Sequence, residues 1–223
     1  LPPEVYSDDQ FHRFEMEAIF GAEWLCVGRQ EQIPNVGDYL TVTRAGEPLI
    51  VVRSADQSIR VMSAVCQHRG MCLTANTNRS DDDMLDPPDL ESGSARSFRC
   101  PYHYWVYNLD GQLVGAPEMA RTTGFEMSDV QLPTLAVEVW QGFIFANLDH
   151  TAAPLAPRLS KLDEALANYD VGSLITVDPM TIPDVPFNWK IMVENFMEMY
   201  HNSRLHHGIH DFSFISKHAS IQV

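Results

Sequence analysis

The 223-residue chain is poor in positive charge: 15 Lys and Arg stand against 30 Asp and Glu, a formal net charge of −15. Nucleic acid attracts basic patches, so nucleic acid is a poor partner for a chain this acidic. The surplus suits solubility, or docking to a basic partner protein. Much of it is local, because Asp81, Asp82, Asp83, Asp86, Asp89 and Glu91 crowd one stretch. Long apolar runs are missing too. No stretch of 18 or more exists, so no transmembrane helix is readable. The opening Leu1-Pro2-Pro3-Glu4 has neither the basic start nor the apolar core of a signal peptide. It also lacks an initiator Met, which leaves an upstream start open. The cysteines number four, Cys26, Cys66, Cys72 and Cys100, too few for a disulfide framework in a chain of this length. No internal repeat recurs at a fixed period. What remains is an ordinary globular composition, 45% hydrophobic and 20% charged, enough for one large domain or two small ones.

The texture changes along the chain. Residues 9–25 predict a helix, with Phe11, Phe14, Ile19 and Phe20 on an apolar stripe and Met16 nearby. From Asp38 a β meander follows: residues 39–43, 49–52 and 59–62 are strands separated by turns near Gly46 and Gln57. Two later hairpins are expected. Asp110-Gly111, between residues 106–109 and 112–114, suits a tight primed turn, and Gln141-Gly142 separates residues 136–140 from 143–146. Residues 74–95, rich in acids with Pro87-Pro88, read as a surface loop or insertion without ligand function. Residues 151–157 look like a linker. A helix over 159–169, a strand over 174–180 and a strong helix over 188–200 complete the pattern.

Two constellations carry chemistry. Cys66-Gln67-His68 and Cys100-Pro101-Tyr102-His103 each bring a thiol and an imidazole together on one loop. Two such loops supply a donor set for tetrahedral zinc, or for a [2Fe–2S] cluster with two Cys on one iron and two His on the other. Zinc is disfavoured because the motifs lie between β hairpins, not on a finger-like unit. Cysteines beside histidines also point to metal and to a reducing compartment. The second constellation lies near the end of the chain, where His201, His206, His207 and His210 follow the 188–200 helix. His201 and His206 are five apart, about 500° of rotation on an ideal helix, so they converge only if the helix is distorted or ends between them. Glu198, three residues before His201, is expected on the same helical face.

The flanking residues resemble a known family. Cys66-Gln67-His68-Arg69-Gly70, then Cys100-Pro101-Tyr102-His103-Tyr104-Trp105, then Leu109-Asp110-Gly111, resemble the Rieske signature of ring-hydroxylating non-heme iron oxygenases. Asn188-Trp189-Lys190, Glu194-Asn195-Phe196 and Glu198-Met199-Tyr200-His201 through His206 look like that family's mononuclear iron segment. The resemblance implies an α+β fold: a helical arm at 1–35, an antiparallel β Rieske domain at 36–149, and at 150–223 the beginning of a mixed α/β catalytic domain. It implies Cys66 and Cys100 on the buried iron, His68 and His103 on the exposed iron, and His201 and His206 on Fe(II), with His207 the competing ligand. The third iron ligand is expected beyond Val223 and Asp211 is not assigned, so the chain is expected to be an incomplete enzyme. Glu198 would couple the mononuclear site to His103 of another subunit.

Electrons would come from NAD(P)H through a reductase and, in some systems, a ferredoxin. O2 and a small organic substrate would react in a cytoplasmic homotrimer or other ring-like oligomer. Aromatic-ring hydroxylation and oxidative demethylation of amines or ethers both fit. The alternative is a Rieske electron carrier with an added C-terminal segment. Respiratory Rieske proteins are similar but link their two loops by a disulfide. Here Tyr102 takes the place of the second-loop cysteine, so Cys72 is expected to be a packed thiol, and Cys26 to lie in the core. One departure is the length of the segment between His68 and Cys100, 31 residues, which is longer than is usual in the family.

Overall fold

The computed structural model describes residues 1–74, 92–177, 185–198, 200–201 and 205–206. The chain divides into two compact units, residues 15–179 and residues 1–14 with 180–223. The elements in chain order are helices α1 (Glu4–Ser7) and α2 (Asp9–Glu15), strands β1 (Leu25–Arg29), β2 (Asp38–Arg44), β3 (Glu47–Arg53), β4 (Ile59–Ser63), β5 (Ser92–Ser94), β6 (Phe98–Arg99), β7 (Val106–Tyr107), β8 (Leu113–Gly115), β9 (Ala136–Trp140) and β10 (Phe143–Asn147), then α3 (Ser160–Leu166) and α4 (Trp189–Met197). The architecture is α+β, and every strand pair is antiparallel.

Three sheets build the larger unit, in the orders β1-β10-β9, β4-β3-β2-β5 and β6-β7-β8. Strand β3 lies at its centre. The run Leu49-Ile50-Val51-Val52 is buried on both faces, which is why it is continuously apolar and not alternating. Leu49 and Val51 join Val27, Ile33, Leu40, Val42, Val61, Ile144 and Ala146 in one core. Ile50 and Val52 join a second core that holds Met62, Cys66, Cys100, Trp105, Tyr107 and Leu132. The sheet thus places both cysteine loops over the second core. Ala45-Gly46 joins β2 to β3 and Gln141-Gly142 joins β9 to β10. All four residues have positive φ (52°, 80°, 48° and 83°), the primed turn that matches strand twist. A Cβ on Gly142 would also stand 2.8 Å from Nη2 of Arg29.

Several sequence expectations need correction. The helix predicted over 9–25 ends at Phe20 after a π-helical turn, Met16–Phe20, and Leu25 already pairs with Ala146 in the sheet. Its apolar stripe is not a core face: Phe14 is 59% exposed, whereas Glu15 is buried. Cys26 is exposed because it stands at the β1 bulge, so it is not a core residue. The loop read over 74–95 contains a strand, since Ser92–Ser94 pairs with Leu40, Tyr39 and Asp38. Its small residues suit an edge where the Tyr39 ring lies against Gly93. Residues 75–91, including the acidic run, lie outside the described residues.

The Asp110-Gly111 turn is not primed. Gly111 N–H donates to the Asn108 carbonyl, and only Gly111 has positive φ, 83°. The chain makes an ordinary turn through Leu109 and Asp110, then a left-handed glycine. Leu174–Val177 form no strand: the Leu174 carbonyl accepts from Arg29 Nη2 and Thr176 N–H donates to Glu31, so side chains take the bonds a ladder would need. Residues 178–180 lie outside the described residues.

In the smaller unit, Asn188 caps α4 by accepting from the Lys190 N–H at 3.1 Å. The Lys190 ammonium lies 5.3–5.6 Å from the Tyr6, Phe11 and Trp189 ring centres, a cation–π arrangement. Tyr6 Oη donates to Glu194 Oε1 at 2.6 Å. These contacts tie α1 and α2 to α4. The helix stops at Met197, short of the predicted 200, and Glu198 is extended (φ −111°, ψ 141°).

Candidate functional site

The two cysteine loops close in the same way. In the first, Cys66 N–H donates to the Met71 carbonyl and Gly70 N–H donates back to the Cys66 carbonyl, at 2.9 and 3.0 Å. In the second, Cys100 N–H donates to the Trp105 carbonyl and Tyr104 N–H donates back to the Cys100 carbonyl, at 2.8 and 3.0 Å. In both, the fifth residue is left-handed, Gly70 at φ 75° and Tyr104 at φ 59°. That conformation costs glycine little and a residue with a Cβ about 1 kcal/mol.

These closures bring like donors together. Cys66 and Cys100 are buried free thiols within hydrogen-bonding reach of one another. The His68 and His103 rings have centroids 4.6 Å apart at 73°. Burial, then the Cys66 thiol, pushes the Cys100 thiol above its ordinary value, against backbone N–H bonds from Tyr102 and His103 that lower it. Partial desolvation, with His103 and Arg69 adding repulsion, holds His68 below the usual imidazole value. The Nδ1 atoms of His68 and His103 are buried and have no hydrogen-bond partner. Buried polar atoms are normally paired, so two orphans side by side fit the ligand nitrogens of a metal group. Two thiols at one end and two imidazoles at the other match a binuclear [2Fe–2S] cluster, two donors per iron. A lone tetrahedral zinc would need all four around one point, and among the described residues no group of three or more His, Cys, Asp or Glu is placed to hold a single ion.

Three residues around these donors were given no individual role from the sequence, Tyr104 and Trp105 being named only as part of the family signature. Tyr107, fully buried, accepts from the Gln67 N–H at 3.1 Å and lies 3.4 Å from Cys66 Sγ. Burial and the Cys66 thiol push its phenol far above the ordinary value, so it stays protonated. Trp105 stacks on His68. Tyr104 holds the left-handed position, and aligning Cys100 with Cys66 would have shown it standing where the first loop has Gly70. Cys72 is a free, half-buried thiol packed against the same core, bridging to Val65.

The second group lies in the smaller unit. His201 and His206 rings stand 5.3 Å apart at 76°. They approach because the helix ends before them. Glu198 and His201 do not share a helical face; an extended Glu198 instead folds its carboxylate over the turn that follows. Its Oε2 accepts from the Tyr200 and His201 N–H groups at 2.6 and 3.2 Å, and its Oε1 pairs with His201 Nδ1. The bond to His201 is the main cause of a Glu198 carboxyl held below the usual value. With Nδ1 engaged, Nε2 is the His201 nitrogen left for a metal. His207, His210 and Asp211 lie outside the described residues.

Residues 23–135 match the family described as the Rieske [2Fe-2S] domain, and residues 166–222 match the ring hydroxylating alpha subunit (catalytic domain). The carnitine monooxygenase oxygenase subunit of Acinetobacter baumannii is 30% identical over 221 residues, covering 98% of this chain and 55% of the relative. The biphenyl 2,3-dioxygenase subunit alpha of Rhodococcus jostii is 34% identical over 218 residues, covering 93% and 43%. The crystal structure of the apo form of a quaternary ammonium Rieske monooxygenase superposes with a TM-score of 0.79 at 31% identity, covering 91% of this chain and 55% of that one. Naphthalene 1,2-dioxygenase with indole bound gives 0.76 at 28% identity, covering 97% and 48%. The chain is a member of the Rieske [2Fe–2S] domain family, joined to part of a ring-hydroxylating alpha-subunit catalytic domain. It spans about half the length of the curated relatives it matches. Among the described residues no helix is long and apolar enough to cross a membrane.

Proposed function

We propose that the chain is the N-terminal part of the oxygenase component of a Rieske-type oxygenase, holding a [2Fe–2S] cluster through Cys66, His68, Cys100 and His103 and Fe(II) through His201 and His206. The observation that carries this reading is the sorting of donors into a buried thiol pair and an imidazole pair with orphaned Nδ1 atoms. We read residues 1–35 as an arm, 36–149 as the cluster domain and 150–223 as the beginning of the catalytic domain.

When bound, the cluster supplies one-electron transfer and the Fe(II) supplies activation of O2 for hydroxylation. The chain's residues prepare both sites. Burial keeps the Cys100 thiol protonated until a metal displaces the proton. The same core walls water away from the sulfurs. Glu198 fixes the tautomer and plane of His201 by holding its Nδ1. In the oligomer, the same carboxylate would meet His103 of a neighbouring subunit and couple the two metal centres.

Electrons are proposed to come from NAD(P)H through a reductase, directly or by way of a ferredoxin, in a homotrimer or similar ring. The match of residues 166–222 to a catalytic domain supports an oxygenase over an electron carrier. The substrate is proposed to be an organic molecule hydroxylated on an aromatic ring, as in aromatic hydrocarbon catabolism, or oxidatively demethylated. Relatives named for carnitine and for biphenyl support that range. Four free thiols support a reducing, cytoplasmic setting. The test is spectroscopic. The reduced chain should give a Rieske EPR signal, and His103→Ala should abolish it while far-UV circular dichroism is retained. A wild-type chain that carries zinc and no labile sulfide overturns the reading.

A further inference from the structure

The two imidazoles at the cluster site are held differently. His68 lies flat on the Trp105 indole, with centroids 4.6 Å apart and planes 11° from parallel. Trp105 is itself buried, 5% exposed, and backed by Phe125 at 5.5 Å. His103 instead leans on the Tyr102 ring, 3.7 Å away at 39°, and Tyr102 is 56% exposed. The Trp105–His68 contact crosses between the loops, because Trp105 closes the loop that carries Cys100 and His103.

An imidazole turns about a broad terminal torsion, so something must choose its plane. A hydrogen bond usually does so for a metal-bound histidine. His68 Nδ1, the nitrogen left for the cluster, has no hydrogen-bond partner; the His103 ring meets His68 at 73°, and the near-parallel indole is the contact that lies along its face and resists rotation. Offset stacking of this kind is a preferred aromatic geometry, and a ring buried in the core cannot follow if the histidine turns.

We propose that Trp105 is a positioning residue: by stacking on His68 from the opposite loop, it fixes the plane of that imidazole and so sets its bond to the cluster. The inference rests on the cluster assignment proposed above.

Pulsed EPR on the reduced, cluster-loaded full chain with 15N-labelled histidine reads the coupling of each ligand histidine separately. Wild type should show two couplings. In Trp105→Leu one should move or broaden and the other stay, while Trp105→Phe, which can still stack, should keep both. Phe125→Leu leaves Trp105 in place but removes its backing, and should broaden the same coupling more weakly. This variant carries the test if Trp105→Leu does not fold: a spectrum identical to wild type then overturns the proposal. So does a folded Trp105→Leu with both couplings unchanged, or a Trp105→Phe that shifts as far as Trp105→Leu. A wild-type chain without two histidine couplings overturns the cluster assignment and this inference with it.

Discussion

Replacing Tyr107 by Phe removes one oxygen from a buried ring and leaves its shape. That oxygen makes two contacts: it accepts from the Gln67 N–H at 3.1 Å, and Cys66 Sγ lies 3.4 Å away. Once Cys66 is a thiolate ligand, sulfur has no proton, so the hydroxyl must be the donor. The phenol, pushed up by burial, keeps its proton to give. A hydrogen bond to a charged acceptor contributes about 1.5–3 kcal/mol, and the orphaned Gln67 N–H adds about 1 kcal/mol of lost stability. The bond favours the more negative, reduced cluster. If about 1–1.5 kcal/mol of it distinguishes the two oxidation states, the potential of Tyr107→Phe falls by roughly 40–65 mV, at 59 mV per tenfold for one electron. Voltammetry of the cluster, with iron and sulfide contents matched to wild type, reads the shift. A potential within about 10 mV of wild type, on the same scale, or one that rises, refutes the argument, because the hydroxyl would then not be donating to sulfur.

Other outcomes follow from the same geometry. Glu198→Gln in the complete oxygenase should leave cluster reduction intact yet cut product formation about 10–100-fold, the usual cost of losing a partner of a metal-bound histidine; single-turnover kinetics with both metals retained would check it, and near wild-type turnover would make Glu198 an ordinary loop acid. Glu31 has a lowered carboxyl: burial acts to raise it, and bonds from Thr176, together with Arg29, outweigh that. Its stabilisation is therefore present above the ordinary value of 4.5 and is lost as pH falls through the lowered folded value. Glu31→Gln should flatten the acid limb of the thermal-melting profile in that window, and an unchanged limb would count against the Thr176 contact.

The site was more legible in the sequence than the fold around it. Cys66, His68, Cys100 and His103 announce themselves because metal chemistry restricts both residue type and spacing. Strands β2, β3 and β4 were legible because apolar runs and turn residues repeat at strand length. Signals failed where a local pattern had a different use. Phe11, Phe14 and Ile19 have helical spacing, yet Phe14 faces solvent and Phe11 borders the Lys190 ammonium. Ser92-Gly93-Ser94 has no apolar residue to mark it, and becomes a strand only because the edge of β2 offers backbone partners. The end of α4 was misjudged because Glu198 turns its carboxylate onto the N–H groups of Tyr200 and His201, a local side-chain-to-backbone choice that apolar periodicity does not encode. Tyr107 reads as an ordinary strand aromatic and Trp105 only as part of the signature, since nothing in a sequence says which thiol or imidazole a ring will meet.

The matched closures of the two cysteine loops carry one more consequence. The scaffold is nearly the same object twice, from cysteine to left-handed fifth residue, but the histidine comes third in one copy and fourth in the other. Rotating one loop onto the other superposes the sulfurs and leaves the imidazoles mismatched. The face they form is handed: one histidine is backed by core and the other by a surface ring, so a partner approaching from either side meets a different edge. A scaffold close to symmetric thereby presents a directional surface, and the direction is written in a one-position shift of the histidine within loops of equal length.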